Sequence, residues 1–218
     1  RFINVLTMAA KNAGWGKARR NFLQGDASHR RYERIDDNGR HGILMDMAPV
    51  SDGPVIRDGK SYSTLAHLAE GVGPFITMTA ALHSVDLSAP QIFFSQAEGG
   101  FLLLEDLGAQ VYFDMAVRGD DMTIPMQAAV DVLVRLSVSS LDDHMLPAYD
   151  NAALQIEIEL LPDWYWPRVK DKIIAPDQRL EFLNLWQPLW QHLEECPRIW
   201  TLRDYHSPNL IWLPERDG

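Results

Sequence analysis

The periodicity of apolar residues changes once along this chain, and that change limits the fold more than any single motif does. Up to Glu105 the apolar residues fall in short runs bounded by turn signals. NFLQGD and RRYERI read as two strands joined across Gly25-Asp26-Ala27-Ser28, Asn38-Gly39 signals a tight turn, and GILMDM is a third strand. Phe2, Ile3, Val5, Leu6, Met8 and Ala9 predict an opening helix before them. Residues 48–60 hold two Pro and two Gly and predict an irregular stretch. Leu65, Leu68, Val72, Phe75, Met78 and Leu82 then predict a long helix broken near Gly71-Val72-Gly73-Pro74, and IFFSQ and FLLLED predict a hairpin turning at Ala97-Glu98-Gly99-Gly100. After Gly108 the period becomes helical: residues 127–140, 154–161 and 180–193 read as helices, the last with Leu180, Leu183, Trp186, Leu189 and Leu193 on one face.

Three strands, a helix and two strands, followed without a long linker by a helical half, is the element order of the protein-kinase-like fold, with LLLEDLG as its hinge. The expected class is therefore α+β in two lobes. Residues 1–107 would form an N-lobe with an antiparallel five-stranded sheet and a helix, and residues 108–218 a mainly helical C-lobe. Composition fits a globular chain: 218 residues, 46 % hydrophobic and 23 % charged. With 30 acidic and 20 basic residues the net charge is -10, which disfavours nucleic acid as a partner. Runs such as FLLL and LIWL are far shorter than the roughly 20 residues of a membrane helix, and no signal peptide is read at the start. Cys196 cannot form an internal disulfide, so a reducing cytoplasm is the expected location and Cys196 is expected as an inert core or boundary thiol.

LRDYHSPNLIW carries the chemistry. Its Asp-x-x-x-x-Asn spacing matches a phosphoryl-transfer loop, in which a carboxylate takes the proton of the attacking hydroxyl and an amide oxygen five residues on ligates the metal that neutralises the phosphates. Asp204 is the candidate base and Asn209 the candidate metal ligand. The plain alternative is a polar turn before a strand at residues 210–213. Gly25, Asp26, Ala27 and Ser28 occupy the place of a phosphate-covering loop, or make an ordinary hairpin turn. Arg30 and Arg31 follow, facing phosphates or solvating a strand edge. Around Glu105 and Leu107 the exposed backbone of the hinge can pair with an adenine edge, or simply end a strand. Asp163, Trp164, Tyr165 and Trp166 make either a sugar platform or, as such residues more often do, core packing. His206 either contacts substrate or metal, or bonds locally within its loop.

QGDASHRRYERI, GILMDMAP, FLLLEDLG, LPAYD, LLPDWYW and LRDYHSPNLIWLPER together resemble the aminoglycoside phosphotransferase and choline kinase superfamily, and within it the branch of N-acetylmuramate and N-acetylglucosamine anomeric kinases of cell-wall recycling. The resemblance runs from about Phe22 to the end. It implies transfer of the γ-phosphoryl of ATP or GTP, with Mg2+, to a hydroxyl of a small molecule, in this branch the anomeric hydroxyl of an amino sugar, with Asp204 as base and Asn209 on the metal. Three departures stand out. Leu202 replaces the usual loop His; Met45 stands near the place of the phosphate-pairing Lys, leaving Arg31 or backbone groups to substitute; and the sequence stops at Gly218 before a second metal-binding Asp, so the C-lobe is expected to be incomplete. A choline or aminoglycoside kinase is the alternative within the fold, and a non-catalytic nucleotide-binding module the alternative outside catalysis. A purely structural role has ordinary globularity alone in its favour.

Overall fold

The computed structural model describes residues 15, 18–23, 30–49, 53–140 and 146–216. The expected opening helix and the turn Gly25–Ser28 lie outside the described residues.

β1 (Arg19–Leu23) and β2 (Arg31–Asp37) pair antiparallel with Leu23 opposite Tyr32, and β2 continues into β3 (Arg40–Asp46) with Asp37 opposite Arg40. Asn38 and Gly39 make the turn with φ of 54° and 87°. Two successive left-handed residues are what a two-residue hairpin needs, and Asn-Gly adopts them at low cost.

The stretch expected to be irregular instead holds a small hairpin, β4 (Val55–Arg57) with β5 (Lys60–Ser61), turning at Asp58 and Gly59 with φ of 52° and 73°. Asp-Gly is itself a hairpin signal. The long helix is broken as expected: α1 (Tyr62–Leu65), capped by the Ser61 hydroxyl on the Thr64 N–H, is separate from α2 (Gly73–Ser84).

β6 (Ile92–Gln96) and β7 (Phe101–Glu105) complete an antiparallel sheet of order β1-β2-β3-β7-β6, so the expected α+β class and five-stranded sheet are found. FLLL reads as a continuous apolar run because both faces of β7 are covered. Leu102 and Leu104 join Met45, Met47 and Val72, with Phe75 and Ile76 of α2, on one face; Leu103 joins Ile35, Leu44 and Trp15 on the other. A register shift between Ile92 and Phe94 sends these two residues of β6 to opposite faces although they are two apart.

Helices follow: α3 (Tyr112–Arg118), α4 (Thr123–Val138), α5 (Asn151–Ile158), a π-helical turn Leu161–Tyr165, α6 (Trp166–Lys170), α7 (Pro176–Asn184) and α8 (Gln187–Glu194). The single helix expected over residues 180–193 is two. Pro188 has no N–H for the carbonyl of Asn184, and Leu189 and Trp190 both donate to Trp186 instead. Leu180, Leu189 and Leu193, expected on one face of that helix, are exposed, whereas Trp190 is buried and stacks on Trp186 with ring centroids 5.7 Å apart. Cys196 is exposed rather than in the core or at its boundary. The strand expected at residues 210–213 reduces to one bridge, Val111 with Ile211.

The chain divides into two compact units, one of residues Arg1–Val50, Ala69–Leu146 and Leu202–Gly218, the other of Ser51–Leu68 and Pro147–Thr201. The first contains the sheet and the Asp204 loop. The second has its own core of Leu65, Ala66 and Ile156, with Tyr62 against it.

Candidate active site

The Asp204 loop is built from tight turns. Arg203 has φ of 60°, costly for a residue with a Cβ, and the Asp204 N–H donates back to the Leu202 carbonyl at 2.6 Å. The His206 N–H reaches the Asp204 carbonyl at 3.1 Å, and Ser207–Asn209 close as a 3-10 turn, the Asn209 N–H donating to the His206 carbonyl at 2.8 Å.

Two anchors hold this loop in the first unit. The Tyr205 hydroxyl donates to the Ala129 carbonyl of α4 at 2.8 Å, and burial, with the nearby Tyr112, pushes the Tyr205 phenol up. Further on, the Tyr112 N–H bonds the Leu210 carbonyl at 3.0 Å and the Trp212 N–H bonds the Gln110 carbonyl at 2.8 Å. Tyr112 is buried, its hydroxyl on the Pro125 carbonyl and its ring edge-on to Trp212.

Asp204 is exposed, and no group among the described residues hydrogen-bonds its carboxylate. A free, solvent-facing carboxylate held on a rigid turn is suited to accept a proton from an incoming hydroxyl. Asn209 lies on the same turn: its Nδ2 is 3.1 Å from the Asp204 carbonyl and 3.1 Å from His206 Nε2. Its Oδ1 has no partner among the described residues and is an oxygen donor for a hard cation. Also among the described residues, no group of three or more His, Cys, Asp or Glu could hold a metal ion. An amide oxygen is one hard ligand of the kind Mg2+ takes, the others coming from carboxylates, water and phosphate.

The hinge after β7 is clasped from two sides. Asp106, nearly buried, receives Arg34 of β2 at 2.6 Å and accepts from the Gly108 N–H at 2.9 Å, while Arg34 also donates to the Gly108 carbonyl at 3.0 Å. This clasp has no local signal, because Arg34 and Asp106 stand 72 positions apart. Glu105 pairs with Arg216 and accepts from the Gln91 N–H at 3.1 Å. Burial works against the Glu105 charge, but hydrogen bonds from Arg216 and Gln91 and the charges of Arg216 and His83 outweigh it, holding the carboxyl below its ordinary value. The pair therefore contributes fully above the usual glutamate range and is lost as pH falls through the lowered pKa. Arg216→Ala should flatten the acid side of the stability profile, by under about 1 kcal/mol since both groups are partly solvated; an unchanged acid limb in urea denaturation at several pH values would contradict the pairing. The Leu107 N–H has no partner among the described residues and remains available to a ligand.

Arg31 begins β2 opposite Asp46 and is exposed. Met45 is fully buried against Val72, Leu102 and Leu104, so the position near the expected Lys is an apolar core position here.

In the second unit, Asp163 and Trp164 lie on the π-helical turn. Trp164 is 70 % exposed and Tyr165 64 %, so neither is core packing, the commoner use of such residues. A π turn inserts a residue and re-aims the side chains it carries, an arrangement often found at functional sites. Asp163 receives Arg179 through two bonds of 2.7 Å, which hold Arg179 above its ordinary value. Behind this pair stands Glu159, a buried carboxylate that binds Arg57 of β4, Arg179 at 3.4 Å and the Gln155 amide at 2.9 Å. Removing it takes the carboxylate from Arg57 and leaves Arg179 to Asp163 alone. Glu159→Ala should lower stability by about 2–3 kcal/mol, the low side for a buried pair because both arginines are a third exposed and can rehydrate. An unshifted urea midpoint would show that dehydrating Glu159 already offsets its pairing.

The antiparallel five-stranded sheet with a helix on one face, the clasped hinge and the Asp-x-x-x-x-Asn loop are the features on which a comparison with known families rests. The profile of the phosphotransferase enzyme family matches residues 20–218, and the chain belongs to that family. It is 33 % identical over 222 residues to the N-acetylmuramate/N-acetylglucosamine kinase of Caulobacter vibrioides, covering 94 % of this chain and 61 % of that protein. With the proteins of the same name from Pseudomonas aeruginosa and Neisseria meningitidis it shares 30 % and 26 % identity, over 91 % and 90 % of this chain and 54 % of each of those proteins. The chain thus spans 54–61 % of the length of these relatives.

Proposed function

We propose that this protein transfers the γ-phosphoryl of ATP or GTP to a hydroxyl of a small molecule, the anomeric hydroxyl of an amino sugar such as N-acetylmuramate or N-acetylglucosamine. The observation that carries this is the free Asp204 carboxylate on a rigid turn that also presents the Asn209 amide. The relatives' names support the acceptor class.

In this reading Asp204 takes the acceptor hydroxyl proton as the acceptor oxygen bonds the γ-phosphorus and the bond to the β-phosphate bridging oxygen breaks, releasing the nucleoside diphosphate. Asn209 Oδ1 would hold Mg2+, which would supply neutralisation of charge on the phosphate oxygens. Residues 1–107 bind nucleotide: the hinge carbonyl of Glu105 and the N–H of Leu107 pair with the base, while Gly25, Asp26, Ala27 and Ser28, with Arg31, take the phosphates. Residues 108–218 carry the loop and the acceptor site, where Trp164 stacks on the sugar and Asp163 accepts from its hydroxyl groups. His206 completes the site beside Asn209. Small molecules are the partners in this reading. It needs neither nucleic acid nor a membrane, and among the described residues no helix is long and apolar enough to cross one. The place of action is the reducing cytoplasm.

The buried Met45, where a lysine would reach the phosphates, favours a second reading as a nucleotide-binding module without turnover. ADP release from MgATP, with N-acetylmuramate, N-acetylglucosamine, choline and an aminoglycoside offered separately, decides. An amino sugar should drive turnover. If MgATP shifts the melting temperature and no acceptor responds, the binding-module reading takes its place; if choline or the aminoglycoside responds instead, the acceptor assignment fails.

A further inference from the structure

Asn209 makes both of its side-chain contacts through Nδ2, at 3.1 Å to the Asp204 carbonyl and 3.1 Å to His206 Nε2. A carbonyl oxygen only accepts, so the atom facing Asp204 must be the amide nitrogen, and that settles which way the amide is turned. One Nδ2 proton goes to the Asp204 carbonyl. The other can be donated only if His206 Nε2 offers a lone pair, which places the imidazole proton on Nδ1. With both amide protons committed, Oδ1 is directed away from both partners, and no other described residue takes it.

The turn itself brings the imidazole to the amide. His206 and Asn209 are three apart across the 3-10 turn Ser207–Asn209, and residues i and i+3 of such a turn stand on one side. Pro208 stiffens the segment between them.

We propose that His206 is a positioning residue: its Nε2, accepting from Asn209 Nδ2, fixes the amide so that Oδ1 is presented to the metal of the metal–nucleotide complex. This rests on the phosphotransfer reading and gives His206 a task other than contacting the acceptor. Losing a partner of this kind typically weakens metal affinity by about tenfold or more.

Mn2+ serves as the probe, its affinity read by electron paramagnetic resonance of the full chain with ADP present, alongside the KM for Mg2+ and for the acceptor. His206→Ala should weaken Mn2+ binding about tenfold and raise the KM for Mg2+ equally, leaving the acceptor KM unchanged. In His206→Gln the side-chain Oε1 can accept in place of Nε2, and metal affinity should return close to wild type. If His206→Ala binds Mn2+ as the wild type does, or Gln fails to restore binding, the inference is overturned. A rise in acceptor KM with metal affinity intact overturns it too, making His206 a substrate contact. If the wild type itself binds no Mn2+ with ADP, the phosphotransfer reading falls first and this inference with it.

Discussion

Asp204→Asn should lower kcat by about three orders of magnitude while the KM for nucleotide changes little, because the substitution keeps the shape of the side chain and removes its capacity to take a proton. The loop should tolerate it: no described residue hydrogen-bonds the Asp204 carboxylate, and the turn is held by the backbone of Leu202 and Asp204 and by the Tyr205 hydroxyl on Ala129. Steady-state ADP release with the responding acceptor measures the loss, and a thermal shift with MgATP confirms that nucleotide still binds. A fall of less than about tenfold would remove Asp204 from the role of base, since positioned bases contribute 10²–10⁴-fold.

Gly100→Ala should be the most damaging small substitution in the sheet. Gly100 has φ of 73°, and a Cβ there would stand 2.0 Å from the Met47 carbonyl oxygen and 2.7 Å from its carbon. These are backbone atoms of a segment bonded back to Gly100, the Met47 N–H donating to the Gly100 carbonyl at 2.7 Å, so relief requires the β6–β7 turn and the end of β3 to separate. The expected loss is about 3 kcal/mol or more, near a 10 °C fall in melting temperature for a chain of this size. Gly71→Ala is the control. Its φ is ordinary and nothing lies within 4 Å of its would-be Cβ, so it should change stability by no more than about 0.5 kcal/mol. Equal melting of the two variants would refute the close approach at Gly100.

The strands were legible because their signals are local. Asn38-Gly39 and the glycines at the β6–β7 turn mark hairpins whatever the rest of the chain does. Asp58-Gly59 carries the same signal but sits among prolines, and reading that stretch only as a breaker hid β4 and β5. The split between α7 and α8 was missed because the leucine and tryptophan spacing continues through Pro188, and periodicity does not register a missing N–H. Within the candidate site, the closeness of Asp204 and Asn209 was legible because both belong to one short turn. The groups that hold the rest are far apart in sequence: Arg34 and Asp106 by 72 positions, Arg57 and Glu159 by 102. No window of neighbouring residues contains such pairs, and the exposure of Trp164 depends on a π turn that composition does not announce.

The bridge between Val111 and Ile211 also sets an order of events in folding. The hairpins of the sheet close over a few residues each, whereas the contact that seats the Asp204 loop, and the pairing of Glu105 with Arg216 across 111 positions, close a span that contains residues 147–201 of the second unit. Closing a long loop is entropically costly, so such contacts form after local ones. During synthesis the sheet can be complete before the ribosome has made Asp204, so the loop is seated on a sheet that already exists.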